Sequence, residues 1–188
     1  MTAAESARAL QVKFVSAVTG VTEFRGETSV TVTKGALLAV LQVCRDELAY
    51  DMLLDISSVD NLGSEPRFEM VYELYSLTGR RHLRIKTTVS EDDPELPTAE
   101  GIWKTANWHE REVYDMMGLK FSGHSDLRRI LMWEGYPHFP LRKEFPLAGK
   151  DTEAPEVAFT HPAPLAGGPF VTTAGADDAI SREPRSRE

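Results

Sequence analysis

Apolar residues recur with helical spacing in two places near the N-terminus. In ESARALQVKFVSAV, Leu10, Phe14 and Val18 lie four apart, one stripe of an amphipathic helix that Gly20 would end. From Thr33, a suitable N-cap, KGALLAVLQVCRDEL sets Leu37, Val40, Leu41, Cys44 and Leu48 on one helical face, the strongest helical pattern in the chain. Between them, VTEF and TSVTVT alternate with β-branched residues and read as a short strand pair, or one bent strand, around Gly26. MLLDISSV follows as a short, largely apolar strand and leads into DNLGSEP, a turn by composition.

The next two strands can be paired from their patterns. RFEMVYELYS shows Phe68, Met70, Tyr72 and Leu74 to one face, and RHLRIKTTV does the same with Leu83, Ile85, Thr87 and Val89. A hairpin turning at Thr78-Gly79 pairs Leu74 with Leu83, Tyr72 with Ile85 and Phe68 with Val89, and sets Glu73 opposite Arg84 with Glu69 and Lys86 diagonal to them. A shift of one residue would mismatch both faces at once. After the acidic turn SEDDPELP come two helical stretches, TAEGIWKTA and WHEREVYDMM, the second closed by Gly118.

This order predicts an α+β fold: a two-layer domain over residues 1–120 with a mostly antiparallel sheet covered by helices. Beyond Phe121 no period survives, while proline, glycine and aromatic residues recur, so residues 121–150 read as an extended arm that contacts other subunits. Residues 151–188 are poor in aliphatics and rich in Pro, Ala and Gly. They cannot form a core of their own and are either disordered or ordered only on a partner.

Composition narrows the function. The chain has 188 residues, and its 29 acidic against 21 basic side chains give a net charge of -8, which argues against a general nucleic-acid binder. A single cysteine, Cys44, excludes an intrachain disulfide and a four-cysteine iron–sulfur or zinc site, and suits a reducing compartment. No apolar run approaches the roughly 20 residues that span a bilayer, and MTAAESARALQVKF lacks a signal-peptide core or an arginine-rich transit pattern, so a soluble cytoplasmic protein is expected, with peripheral attachment to a membrane complex compatible. Neither G-x-G-x-x-G nor G-x-x-x-x-G-K-[ST] is present.

The densest stretch of charge runs from Asn107 to Leu131. His109, Glu112 and Asp115 at helical spacing, with His124 further on, could build a metal site, whereas Glu110 and Glu112 point too far apart for paired acid–base work. Ion-pair structure accounts for more: Arg111 and Asp115, four apart, can pair along the helix, and Ala106, Val113 and Met117 make an apolar stripe that also carries Glu110. A carboxylate at such a seam needs a cation, and Arg128, Arg129, Arg142 and Lys143 are the candidates. Arg128-Arg129, flanked by Leu127, Ile130 and Leu131, reads as packed, in a segment of the kind that lies on another surface.

EREVYDMMGLKFSGHSDLRRIL closely resembles the signature of the 30 kDa (C) subunit family of NADH-quinone oxidoreductase, respiratory complex I, and PLRKEFPL resembles that family's second block. The resemblance extends over about residues 9–150. Ser125 stands where the family usually has proline, and Glu144 where it usually has aspartate. The resemblance implies a non-catalytic member of the peripheral arm, without cofactor of its own, supporting electron transfer from NADH to quinone by neighbours that hold the FMN and iron–sulfur clusters. It implies the D subunit as chief partner, the B and I subunits nearby, and a peripheral place on the cytoplasmic side of the bacterial cell membrane. Carried onto this chain, the assembly residues are Glu110, Arg111, Glu112, Asp115, His124, Leu127, Arg128, Arg129, Leu141, Arg142 and Lys143. Two alternatives stand beside it: the equivalent subunit of a membrane-bound energy-converting hydrogenase or ferredoxin-linked relative, and a free-standing metal-dependent hydrolase using His109, Glu112 and His124.

Overall fold

In the computed structural model, which describes residues 1–147 with Gly149 and Lys150, the Thr2 hydroxyl accepts the Glu5 N–H at 3.2 Å while the Glu5 carboxylate takes the Thr2 N–H at 2.7 Å, a reciprocal cap that starts α1 (Ala3–Lys13). The helix ends well before Gly20, because Val18, Thr19, Val21 and Thr22 favour the extended chain and open β1 (Val18–Phe24). A two-residue turn with both Arg25 and Gly26 at positive φ, 52° and 83°, returns the chain as β2 (Glu27–Val32), so the strand pair prevails over a single bent strand.

Thr33 does not cap the next helix directly. A 3₁₀ turn (Lys34–Ala36) precedes α2 (Leu37–Asp46), which buries Leu37, Val40, Leu41 and Cys44; Leu48 joins the core just past the helix end. Burial pushes the Cys44 thiol up to about 12.

The sheet continues with β3 (Met52–Asp60), β4 (Phe68–Ser76) and β5 (Arg81–Val89) in the order β1-β2-β5-β4-β3. Every pairing is antiparallel except β2 with β5. The β4–β5 register is the one its pattern requires: Leu74 faces Leu83, Tyr72 faces Ile85, Phe68 faces Val89 and Glu73 faces Arg84. Phe68, Met70, Tyr72, Leu74, Leu83 and Ile85 are fully buried in one core cluster with Leu10 of α1 and the apolar face of α2. The opposite face carries Arg84–Glu73 at 2.7 Å, Lys86–Glu69 at 2.8 Å and Arg84–Glu27 at 3.0 Å.

Two features escape the pattern. TAEGIWKTA is not helical before its last residue, Ala106: the Thr98 hydroxyl accepts the Glu100 N–H at 3.1 Å, a local turn that competes with the helix, and Gly101 follows. The acidic turn before it contains β6 (Glu95–Pro97), which pairs in parallel with β7 (Lys120–Ser122) and sets buried Leu96 beside buried Phe121. Strands of this length are too short to show alternation. Between them runs α3 (Ala106–Met117), packed against β3.

The chain divides into two units, Met1–Arg142 and Lys143–Glu188. In the second, Gly149 N–H bonds the Pro146 carbonyl at 2.8 Å and the Lys150 ammonium stands 5.8 Å from the centre of the Phe145 ring. The expectation for residues 151–188 lies outside the described residues.

The two sheet faces differ in what they contribute. Ile85→Ala removes a fully buried side chain and is expected to cost about 2–5 kcal/mol, whereas Arg84→Ala on the open face should cost under about 1 kcal/mol. Urea unfolding of the full chain measures the difference.

Candidate functional site

The last turn of α3 organises the site. An α-helix leaves its final four carbonyls without intrahelical donors, and α3 carries no basic residue in its own last turn. Gly118 N–H takes the Tyr114 carbonyl at 2.9 Å, and the strap that returns after β7, residues 123–142, supplies the rest. Arg129 Nη1 donates to the Asp115 carbonyl at 3.0 Å, Leu141 N–H to Met116 at 3.1 Å and Arg142 Nε to Met117 at 2.7 Å. Two guanidinium groups thereby sit at the negative end of the helix. Gly118 holds φ at 77°, and a Cβ there would meet the Phe139 ring at 2.7 Å, so both backbone and packing require glycine.

Asp115 binds the same segment from the side. Its Oδ2 accepts three consecutive amides, Ile130 at 3.0 Å, Leu131 at 2.7 Å and Met132 at 2.8 Å, and its Oδ1 accepts Arg129 Nη1 at 2.5 Å. The carboxylate is fully buried. Burial by itself would raise its pKa, but the three amides and the guanidinium together outweigh that and hold it below the ordinary carboxylate value. Arg129 Nη2 bonds the Tyr136 and His138 carbonyls at 2.6 and 3.1 Å, and its guanidinium stands 5.6 and 5.3 Å from the Tyr136 and Phe139 ring centres.

Several expectations are corrected here. Arg111 does not pair with Asp115 along the helix; it donates to the Arg128 and Arg129 carbonyls, each at 3.1 Å, because Arg129 and the amides have taken the carboxylate. Arg129 and Arg142 find acceptors on α3 and its strap, and of the Arg128-Arg129 pair only Arg129 is packed. Arg128 is exposed and meets Asp126 at 2.8 Å. Glu110 lies at the buried seam as its stripe requires, yet among the described residues no arginine or lysine serves it. Thr98 Oγ1 donates at 2.5 Å and Ala99 N–H at 2.6 Å, and His124 Nε2 stands 4.0 Å away. Burial raises the Glu110 pKa against the opposing pull of those donors.

The metal set is taken apart by the fold. His109 faces Asp55 of β3 at 3.3 Å, Asp115 serves the strap, and Glu112 is exposed. His124 Nδ1 accepts the Asp126 N–H at 3.0 Å, which assigns the ring proton to Nε2, directed at the Asn107 carbonyl at 3.1 Å. Among the described residues, no three His, Cys, Asp or Glu side chains are grouped to hold a metal ion. Leu127 is half-buried against the core, while Leu141 and Lys143 are exposed. The contributions of Thr98, Ala99, Tyr136 and Phe139 have little sequence signal. Three of the four act largely through backbone atoms or ring faces, and only the glycine next to an aromatic-rich segment hints at Phe139.

The two buried carboxylates are expected to behave differently. Asp115→Ala strands three amides and a guanidinium and should cost about 3–5 kcal/mol. Glu110→Gln keeps an acceptor for Ala99 and should cost under about 1 kcal/mol. The pH dependences have opposite sign. The stabilisation from Asp115 is complete above its unfolded pKa of about 3.9 and is lost as pH falls through its lower folded value. Glu110 instead favours folding more as pH falls through its raised folded value toward about 4.3. Urea unfolding of both variants from neutral to acid pH checks each sign.

Residues 30–151 match the family model of the respiratory-chain NADH dehydrogenase 30 kDa subunit. The chain is 46% identical over 144 residues to the NADH-quinone oxidoreductase C subunit of Geotalea uraniireducens, covering 77% of this chain and 88% of that one. To the C subunit of Roseiflexus sp. it is 44% identical over 153 residues, covering 80% and 85%. Among solved structures it resembles Nqo5 in a trypsin-resistant fragment, with a TM-score of 0.56 and 31% identity over 66% of this chain and 96% of that one. It shares a fold with a chain of the membrane-bound sulfane sulfur reductase, an archaeal respiratory membrane complex, with a TM-score of 0.66 and 23% identity over 77% and 85%. The relatives named for NADH-quinone oxidoreductase do not favour the hydrogenase-type alternative. With the family model spanning the sheet from β2 onward, α3 and its strap, this chain belongs to the respiratory-chain NADH dehydrogenase 30 kDa subunit family.

Proposed function

We infer that this subunit of an NADH-quinone oxidoreductase works as a scaffold, holding its neighbours in place without carrying out a chemical step itself. Other subunits of the complex are its partners. The finer reading names the D subunit as chief partner with the B and I subunits nearby, assigns FMN and iron–sulfur clusters to partner subunits, and puts the chain on the cytoplasmic side of the membrane. The observation that carries the scaffold reading is the engagement of the α3 terminus: Asp115, Arg111, Arg129 and Arg142 all direct polar atoms at backbone groups of the strap or of the helix end it covers. Side chains so engaged position backbone, and the Asp115 carboxylate, with four donors on it, has little lone-pair capacity left for a substrate. The one thiol supports the same reading, since burial holds Cys44 at about 12 and a thiolate ligand needs a far lower value. Among the described residues no helix is long and apolar enough to cross a membrane, which suits attachment through other subunits.

Scaffold and catalyst separate in one assay. Asp115→Ala, in the chain's own host, is expected to lower the amount of assembled complex while NADH:quinone turnover per assembled complex stays within about twofold. Normal assembly with turnover lost would contradict the scaffold reading. Recovery of the wild-type chain alone, with no other subunit, would contradict membership of the assembly.

A further inference from the structure

The corner that opens the strap, residues 123–126, is tied both to α3 and to the turn before it. The Ser125 N–H and hydroxyl donate to the Glu100 carboxylate at 3.1 and 2.9 Å, and Asn107 Nδ2 donates to the Ser125 hydroxyl at 3.3 Å. His124 lies within this corner, and its side chain and that of Glu110 are both fully buried. Each ring nitrogen of His124 is committed. Nδ1 accepts the Asp126 N–H at 3.0 Å, while Nε2–H is directed at the Asn107 carbonyl at 3.1 Å and stands 4.0 Å from Glu110 Oε2.

A buried carboxylate needs a compensating charge, and among the described residues no arginine or lysine bonds Glu110. The other titratable groups near the pair do not supply one. Burial, with the Glu110 charge adding to it, pushes the Tyr72 phenol of β4 well up, so it stays neutral. Glu100 is held low by its bonds from Ser125, with a smaller contribution from His124, and stays ionised. The Asp126 carboxylate meets Arg128 at 2.8 Å. Burial pushes Glu110 up, and the Thr98 and Ala99 donors together with a charge on His124 oppose that rise. Two carboxylates thus gain from a positive imidazole between them.

We propose that His124 and Glu110 form a proton-operated latch at the base of the strap: the pair takes up one proton at His124 Nδ1, and the His124–Asp126 bond opens as it does so. The ring leaves the proton one place to go. Nε2 already carries a hydrogen, so a proton from solvent binds the Nδ1 lone pair, the same lone pair that accepts the Asp126 N–H. Two donors then face each other and the turn from His124 to Asp126 is lost. In exchange the imidazolium compensates Glu110, so the buried pair goes from a net charge of minus one to zero. The outer strap is not released with the corner, because Asp115 holds Ile130, Leu131 and Met132 and its pKa lies below the ordinary carboxylate value.

The test follows the full-length chain by 15N NMR from about pH 8 to about pH 5, the range in which imidazoles change charge. His124 Nδ1 is expected to pass from acceptor to protonated nitrogen while Nε2 keeps its hydrogen. The Asp126 amide, measured against its intrinsic rate, is expected to exchange about five- to tenfold faster once the change is complete, with the Ile130, Leu131 and Met132 amides keeping their protection. His124→Asn retains an acceptor for the amide two residues on, as in an Asx turn, and cannot titrate; its Asp126 protection should vary by less than about twofold over the range. Glu110→Gln removes a charge that favours the imidazolium and should move the Asp126 transition at least about one pH unit lower. Level Asp126 protection in the unsubstituted chain, a ring in which Nδ1 never protonates, a transition that survives in His124→Asn, or a midpoint unmoved by Glu110→Gln each overturns the latch. The ring measurement and the Glu110→Gln comparison decide the matter even where His124→Asn does not fold.

Discussion

A carboxylate with no solvent contact holds the C-terminal part of this domain together. Asp115 is tolerated in the interior because four donors converge on it, three of them successive backbone amides. Those amides belong to a segment with no regular secondary structure, and Asp115 gives that segment the partners a strand or helix would otherwise supply. Arg129 closes the arrangement from the other side, joining Asp115 to the Tyr136 and His138 carbonyls so that the strap is gathered around one cation. Removing the acid therefore releases far more than one ion pair.

The helix terminus and the strap solve each other's problem. The end of α3 presents carbonyls that need donors, and a coil segment beyond β7 presents amides and arginines that need acceptors. Matching them satisfies both without a further element of secondary structure. Glu110 repeats the device one turn earlier in α3, binding the Thr98–Ala99 turn through a hydroxyl and an amide. The chain thus uses acidic residues on one helix to fix two irregular segments, and lets Arg128 and Leu131 of the strap face outward.

How far the sequence anticipates this depends on the range of the interaction. The β4–β5 register follows from strict alternation on two strands joined by a short turn, because only one pairing buries Tyr72 with Ile85 and also sets Glu73 against Arg84. The buried position of Glu110 is legible from the stripe of Ala106, Val113 and Met117 around it. Its partners are not, since a backbone amide and a threonine hydroxyl have no sequence signature. The Arg111–Asp115 spacing promises a pair along the helix, and a tertiary contact with stronger charge-assisted and backbone bonds displaces it. Helical reading of TAEGIWKTA and of the residues up to Gly20 fails for local reasons, a threonine turn in one case and β-branched residues in the other. The C-terminal arm is recognisable as irregular, but irregularity alone does not say whether a segment lies on its own domain or on another chain.

Amide hydrogen exchange at Ile130, Leu131 and Met132 tests the central claim most directly. In the full-length chain these three amides are expected to exchange slowly at neutral pH despite lying in a coil segment, and to lose protection together in Asp115→Ala while the amides of β4 and β5 keep theirs. Rapid exchange of all three in the unsubstituted chain, or protection that survives the loss of Asp115, would contradict the account.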